Sequence, residues 1–416
     1  MKMKTTLNKK KVAIVVSICI SLIAVIVAVT YSVAYNIAMS QFNKKVAGVN
    51  ERQAMFDKLS DVDQTVRQDY IGKIDESKLQ ESLCEGYIEG LPDSYSLYMS
   101  DEVYKLYTEI ESGKSFNIGV TTILNDKKQN EIVYVLPGSP AEKAGLLKGD
   151  VISKINNFVC ESTNYEESLL RLTGTQGKNI DLRILRKQGA NQIDDIKVTV
   201  TCEKTEMMDI EYSLLKDNIG YISIYNFDSL VTKKFENSLN DLHNQGAQNY
   251  IIDLRNNLFG KMEYSAQLLD YLLPSGDLIS TINKDGEKKL VYSSSGSMVS
   301  SKFVVLVNSN TSGSGEIFAS AMRDYNAAKI IGENTTGRTT YNKVFRLSDN
   351  SAVLIPTAHY VTNKSGILTG IGLLPDKVVV MPTSSRELLD RRSLNLSDDV
   401  QVQDAIKELV GEVVES

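Results

Sequence analysis

The sequence predicts an α/β protein in which a mainly parallel sheet is joined to a small β-rich module and preceded by helices. Three observations lead to this fold class. Strand and helix patterns alternate between residues 219 and 332, which is typical of a parallel sheet covered by helices. Short β-patterned segments separated by glycine-containing turns fill residues 116–186. A long apolar run follows five lysines at the N-terminus.

The N-terminal run is free of charged residues from Val12 to Asn43. Its apolar centre, residues 12–33, is long enough to cross a hydrocarbon layer of about 30 Å. A cleaved signal peptide has an apolar region of only about 7–15 residues. The sequence therefore predicts a cytoplasmic tail at 1–11 and an uncleaved transmembrane signal anchor at 12–35. By the positive-inside tendency, it predicts a single-pass protein of the cell membrane whose main domains are extracytoplasmic.

Composition and charge exclude several classes of protein. With 42% hydrophobic and 24% charged residues among 416, the chain can bury a sizeable core. After residue 43 the chain carries 41 basic and 52 acidic residues, a net charge of −11, which argues against nucleic acid as a partner. There are only two histidines, His243 and His359, and no Cys-x-x-Cys pattern. We therefore expect no metal site and no cofactor, and expect both histidines to be structural or solvent-facing.

Three cysteines lie beyond the apolar run, at Cys84, Cys160 and Cys202. An odd number allows either one disulfide with one free thiol, or three free thiols.

Residues 41–107 are predicted as a helical N-terminal region. Apolar residues recur there at spacings of three and four, in two groups: Phe56, Leu59, Val62, Val66 and Tyr70, then Leu79, Leu83, Tyr87 and Ile88. The helical pattern ends at Pro92.

Residues 108–188 are predicted as one β-rich module. One expected strand starts near Ile118. Three more are expected within 131–136, 149–156 and 179–186. A turn and a short helix are expected within 137–146, and an amphipathic helix from Tyr165 to Leu172.

Residues 189–382 are predicted as the large α/β domain, and 383–416 as a helical tail. The large domain should contain four strands, at 219–224, 250–255, 303–307 and 329–332. Helices should alternate with these strands, at 232–245, 264–273 and 316–326.

A motif in the β-rich module resembles a known domain. Residues 138–146 read Gly-Ser-Pro-Ala-Glu-Lys-Ala-Gly-Leu, and 149–152 read Gly-Asp-Val-Ile. Both closely resemble the PDZ domains built into C-terminal processing peptidases, also called tail-specific proteases. A PDZ domain binds an extended peptide as an added strand. The resemblance implies that the carboxylate of the peptide sits on backbone N–H groups of a loop, and that the helix from Tyr165 forms the other wall. The loop residues are Asn117, Ile118, Gly119 and Val120.

The large domain resembles the peptidase part of the same family. Residues 311–318 and 332–338 are similar to the family's nucleophile and base segments, and 373–379 to the motif that closes its catalytic domain. The segment 91–98 is similar to the motif that follows its N-terminal helices. The resemblance implies a ClpP/crotonase-like core with an inserted PDZ domain, together with the N-terminal helices and the one transmembrane helix described above.

The resemblance also identifies the positions where catalytic residues would stand. In the family, the nucleophilic serine lies three residues before a glutamate, and a lysine base follows 25 positions later. Glu316 places Gly313 at the nucleophile position, and the spacing places Arg338 at the base position. The helper glutamine of the family falls on Asn342. All three positions therefore differ from the family pattern.

These changes remove the chemistry of a serine–lysine dyad, which needs a hydroxyl and a neutral amine. Glycine has no side chain, and arginine stays protonated at any relevant pH. The family's oxyanion loop, which contains Pro-Gly-Gly, reads Leu258, Phe259 and Gly260 here. A Cβ at Phe259 restricts the close backbone approach that glycine permits.

Three functions remain open. The chain is a pseudopeptidase that binds the C-terminal tails of exported or membrane proteins, or a partner protease, without cleaving them. Alternatively, it is an active endopeptidase that uses a relocated nucleophile, Ser312 or Ser314. The third alternative is a scaffold subunit for a partner protease, with a PDZ domain that binds no peptide.

Overall fold

The structure is a computed structural model that describes residues 9–93, 95–111, 116–125, 127–189, 192–205, 210–297, 299–390 and 392–411. The chain forms two compact units, 1–79 and 80–416. The described helices are α1 (Lys9–Asp69), α2 (Glu76–Glu89), α3 (Asp101–Glu111), α4 (Pro140–Lys143), α5 (Tyr165–Arg171), α6 (Val231–Asn244), α7 (Met262–Leu272), α8 (Ser314–Asp324), α9 (Thr383–Asp390) and α10 (Val400–Val410).

The described strands number 21. They are β1 (Leu97–Met99), β2 (Phe116–Asn117), β3 (Val120–Leu124), β4 (Asn130–Val135), β5 (Val151–Ile155), β6 (Phe158–Val159), β7 (Thr173–Gly174), β8 (Asn179–Gln188), β9 (Gln192–Thr201), β10 (Ile210–Leu214), β11 (Ile219–Ile224), β12 (Asn226–Phe227), β13 (Asn249–Asp253), β14 (Phe259–Gly260), β15 (Gly276–Asn283), β16 (Lys288–Ser294), β17 (Lys302–Val307), β18 (Ala328–Gly332), β19 (Thr340–Arg346), β20 (Ala352–Val361) and β21 (Lys377–Val378).

The N-terminal helix α1 corrects one prediction. The sequence predicted a transmembrane anchor at 12–35 and, from it, a single-pass protein of the cell membrane. Within the described ranges, no helix combines the length and the apolar character that crossing a membrane requires, so both predictions are wrong. Helix α1 is long, at 61 residues, but length alone does not make a membrane span. Most of the predicted cytoplasmic tail, 1–11, lies outside the described residues.

The main sheet has the strand order β10-β11-β13-β17-β18-β21, and all of its pairings are parallel except that of β10 with β11. Strand β11 is buried along its whole length, as expected for a sheet covered on both faces. Helices α6, α7 and α8 bury apolar residues in the same core as these strands. The predicted strand–helix alternation of the large domain is therefore confirmed.

A second, antiparallel sheet has the order β1-β20-β15-β16, and β19 also pairs with β20. Strand β1 precedes the β-rich module in the chain, yet Leu97 pairs with Leu354 of β20. The β-rich module is therefore inserted between two elements of the same sheet.

The inserted module forms its own sheet, in the order β3-β4-β5-β8-β9, with β6 paired to β5. Its core contains Ile118, Ile132, Ile152 and Leu182, all of them buried. Helix α4 begins at Pro140, and the side chain of Ser139 accepts a hydrogen bond from the backbone N–H of Glu142 as its N-cap.

The C-terminal helix α10 is fixed by a buried ion network. Arg255, which is fully buried, contacts Asp253 and lies 2.8 Å from the carboxylate of Asp399. Its guanidinium also donates to Gln401 Oε1 at 2.9 Å. Asp399 in turn is the N-cap of α10, so the main sheet and the C-terminal helix share one polar anchor.

Candidate active site and peptide groove

The nucleophile position lies at the start of α8, where the chain turns after β17. Gly313 has φ +54° and ψ −108°, a backbone conformation that residues other than glycine rarely adopt. A Cβ built there would meet only the carbonyl oxygen of Arg338, at 3.5 Å. Gly313 and Arg338, which the sequence separates by 25 positions, are therefore neighbours in the structure.

The carboxylate of Glu316 holds these two positions together. It accepts hydrogen bonds from the backbone N–H groups of Gly313, Gly337 and Arg338 at 3.0, 2.6 and 2.7 Å, and from the hydroxyl of Thr335. Burial raises the pKa of Glu316, which is fully buried, and the four donors oppose that rise. One glutamate side chain thus fixes the loop of the nucleophile position to the loop of the base position.

Arg338 at the base position forms an ion pair with Glu166, in the first turn of α5 in the inserted module. Its guanidinium also lies 4.9 Å from the ring centroid of Tyr95, a cation–π contact. Burial of Arg338 acts to lower its pKa, but the carboxylate of Glu166 outweighs burial and the pKa is raised. Arg338 is therefore a permanent cation and has no capacity to accept a proton.

Both serines that flank position 313 are buried. Ser314 is buried, and its hydroxyl donates to the carbonyl oxygen of Gly260 at 2.8 Å. Ser312 is also buried, and its backbone N–H donates to the carbonyl of Asn257 at 2.9 Å. Among the residues that the structure describes, neither hydroxyl is hydrogen-bonded to a lysine or histidine, which a dyad would require.

The third family position, Asn342, is exposed on β19 and lies opposite Pro356 of β20. Within the described part of the chain, no hydrogen bond joins it to Gly313 or Arg338. His359, which we expected to be structural or solvent-facing, is half-buried and its Nδ1 shares a 2.9 Å hydrogen bond with the hydroxyl of Thr369.

The segment predicted to form the oxyanion loop, residues 258–260, contacts β12 and Ser314. Strand β14, Phe259–Gly260, pairs with β12, and the side chain of Phe259 lies outside the described part of the structure. Gly260 has φ +132°, and a Cβ there would lie 2.5 Å from the backbone nitrogen of Phe227, so only glycine fits. The Gly260 carbonyl accepts from Ser314.

The predicted peptide groove lies between β3 and α5 and encloses about 90 Å³. It is lined by Asn117, Ile118, Val120, Thr121, Thr122, Leu169, Leu172 and Thr173. Asn117, Ile118 and Val120 of the predicted carboxylate loop are among these residues, and binding of a carboxylate there stays a prediction.

Two hydrogen bonds within the module occupy groups that a bound peptide would need. The backbone N–H of Gly119 donates to Asn117 Oδ1 at 2.9 Å, and Thr205 donates to the same oxygen. The hydroxyl of Tyr165 donates to the backbone carbonyl of Thr122 at 2.7 Å. Burial raises the pKa of Tyr165 to about 12, so its hydroxyl remains a donor at neutral pH.

Sequence reasoning missed Glu166 altogether. It recognised the segment 91–98 and the helix from Tyr165, but it did not predict that Tyr95 and Glu166 contact Arg338, since both are far from Arg338 in the chain. The buried Glu316 was used only as a marker for position 313, although its place at the third position of a helix that follows a Gly/Ser turn is typical of a capping glutamate.

Comparisons with known proteins agree with this geometry. The chain matches the models of Peptidase family S41 at 218–379, of a PDZ domain at 131–186 and of the Activating protease CtpB N-terminal domain at 22–103. It is 32% identical over 332 residues to the Carboxy-terminal processing protease CtpA of Bacillus subtilis (strain 168), which covers 79% of this chain and 69% of that protein. It is 26% identical over 365 residues to a Probable CtpA-like serine protease of Staphylococcus aureus (strain MSSA476), covering 86% of this chain and 72% of that one.

Among solved structures, a photosystem II D1 C-terminal processing protease superposes with a TM-score of 0.58 at 22% identity. The match covers 80% of this chain and 90% of that one, and at this identity it shows the fold alone.

Proposed function

The chain belongs to the C-terminal processing protease family, serine peptidases of family S41 with a PDZ domain, and on that basis we propose that it binds protein C-terminal tails without cleaving them. One observation carries the proposal. Gly313 stands at the nucleophile position, and the cation at the base position, Arg338, is ion-paired to Glu166.

The absence of cleavage follows from the chemistry of acyl transfer. Attack on an amide carbonyl needs a nucleophile and a base that removes its proton. Gly313 supplies no nucleophile, and Arg338 is held in its charged form by a carboxylate. The hydroxyl of Ser314 is already a donor to Gly260, so a relocated nucleophile gains no support from its contacts.

Binding of tails is supported by the module that the family model identifies as a PDZ domain. Apolar side chains of Ile118, Val120, Leu169 and Leu172 line the groove, so an apolar residue is expected at the C-terminus of the ligand. The carboxylate would be held by loop N–H groups around Gly119, provided that Asn117 Oδ1 yields its hydrogen bond.

The second candidate is a scaffold subunit that binds no peptide, and the hydrogen bond from Tyr165 to the Thr122 carbonyl favours it because that bond occupies a backbone group of β3. The experiment that separates the two uses the full chain and fluorescein-labelled decapeptides that end in Val-Ala-Ala, with a free acid or an amidated C-terminus. Binding of the acid at least tenfold tighter than the amide, measured by fluorescence anisotropy, is the expected result. No binding of either peptide would support the scaffold instead, and equal affinity for both would contradict recognition of the C-terminal carboxylate.

A further inference from the structure

We propose that Arg338 and Arg392 are positioning residues that fix the two walls of the peptide groove to the peptidase-like core and keep the groove closed. The inference deepens the proposed function, because it takes this groove as the binding site. It assigns to Arg338 a role that differs from the base of the family, and to Arg392 a role that no sequence motif suggests.

The helix wall of the groove is fixed by Arg338. Its partner Glu166 follows Tyr165 directly, and both side chains lie in the first turn of α5. The backbone N–H of Arg338 is bound at 2.7 Å to the buried carboxylate of Glu316, so the arginine projects from a loop that is itself anchored in the core. The ion pair is only partly exposed, since each side chain keeps 29% of its accessible surface. It is therefore less screened by water than a surface pair.

The strand wall is fixed by Arg392. Its guanidinium carbon lies 4.0 Å from the ring centroid of Tyr134 on β4 and 3.5 Å from that of Tyr225 in the core. Tyr134 is paired with Thr121 of β3, the strand that borders the groove. Arginine stacked between two aromatic faces is a favourable cation–π arrangement.

Two features indicate that the contact of Arg392 with Tyr134 and Tyr225 is a specific one. The φ of Arg392 is +48°, in the left-handed region that costs a non-glycine residue conformational energy. Its Nη1 is buried and has no hydrogen-bond partner within the described residues, so the two aromatic contacts have no competing polar partner at that nitrogen.

Because both walls are tied to the same core, they do not separate freely. The hydroxyl of Tyr165 bridges them by donating to the Thr122 carbonyl at 2.7 Å. A peptide that adds as a strand beside β3 needs the backbone groups of β3, so Tyr165 must first give up this bond. The remaining cavity of about 90 Å³ is much smaller than the roughly 300–1,000 Å³ of typical ligand pockets. Opening the groove therefore requires α5 to move away from β3, which the two arginines oppose.

The test uses the full chain with Arg338→Gln, Arg392→Leu and the double variant. The matched control is Arg183→Leu, which removes an arginine ion pair with Asp195 between β8 and β9, away from the groove. Hydrogen–deuterium exchange of the backbone amides in α5 and β3 reports closure without any ligand. Anisotropy with the labelled acid peptide reports affinity.

We expect faster exchange in α5 and β3 for both single variants, and a gain in peptide affinity of roughly 5- to 150-fold, the range of typical coupling between sites. The control should change neither. The charge swap Arg338→Glu with Glu166→Arg should restore slow exchange, which a general loss of folding would not do.

Unchanged exchange in Arg338→Gln and Arg392→Leu, or equal acceleration in the control, would overturn the inference whether or not a peptide binds. Faster exchange together with no peptide binding by any variant would leave the positioning role in place and refute the proposed binding function instead.

Discussion

Replacing Glu316 should destabilise the core more than any other single change at this site. The side chain is fully buried and each of its two oxygens serves two donors: Oε1 accepts from Gly337 and Thr335, and Oε2 accepts from Gly313 and Arg338. Glu316→Ala leaves three backbone N–H groups without their acceptor in a buried place.

The magnitude follows from the cost of leaving a buried donor unpaired, which is about 1–3 kcal/mol each. Three such donors set an upper range of about 3–9 kcal/mol. Water that enters the vacated space, and relief from burying a carboxylate, recover part of this cost. We expect a loss of about 3–5 kcal/mol in the free energy of unfolding of the core, at the upper end of the effects of single substitutions. Glu316→Gln keeps one oxygen and therefore two of the four bonds, so its loss should be roughly half as large.

Urea unfolding followed by far-UV circular dichroism measures the effect, with the midpoint and slope of the core transition fitted for each variant. Glu263→Ala is the control, because Glu263 is an exposed glutamate in the first turn of α7. It should cost less than about 1 kcal/mol. If Glu316→Ala, Glu316→Gln and the control shift the transition equally, the carboxylate is not the link between the two loops and our reasoning fails.

Three further predictions follow from the site. The full chain should not cleave β-casein over a day on an electrophoresis gel, and a cleavage activity that disappears in Ser314→Ala would contradict the proposed function. The triple variant Gly313→Ser, Arg338→Lys and Asn342→Gln, which restores the dyad and the helper glutamine, should show little peptidase activity. A serine at φ +54° is strained, and the oxyanion loop of this variant still carries Phe259. Adding Phe259→Gly should raise peptidase activity above that of the variant without it, and equal activity would show that the loop is not limiting. Burial raises the pKa of Cys160 to about 12. At pH 8, iodoacetamide should therefore label this thiol much more slowly in the native chain than in urea, as measured by mass spectrometry. Equal labelling rates would show that the thiol is accessible in the native chain.

The sequence predicted the main sheet because its strands are short runs of buried β-branched residues between helical patterns. Strand β13, with Tyr-Ile-Ile-Asp, and β17, with Phe-Val-Val-Leu-Val, are examples in which no other element fits the pattern. The antiparallel sheet was not predicted, since β16 is exposed over most of its length and its sequence, Lys-Lys-Leu-Val-Tyr-Ser-Ser, shows no regular alternation. Its partners are fixed by long-range pairing rather than by local sequence.

The positions of the site were predictable, but the contacts they make were not. Motif spacing placed Gly313 and Arg338 together because both belong to one family pattern. The contact of Arg338 with Glu166 joins the core to the inserted module and depends on how the two pack, which no local pattern encodes. The membrane anchor was predicted from an apolar run in the sequence alone, and no helix among the described residues meets the requirements of a membrane span.

The pairing of Leu97 with Leu354 has a consequence for the order in which the chain acquires its structure during synthesis. Among the described residues, strands β2 to β9 pair only with one another, so the inserted module is able to form once residue 201 has left the ribosome. Strand β1, including Met99, which is fully buried in the finished core, has no partner until β20 is made. At about 5–20 residues per second this leaves β1 waiting for roughly 13–50 s. A nascent chain arrested before residue 352 would therefore display a folded module flanked by an unpaired apolar strand, the segment that a chaperone would be expected to hold.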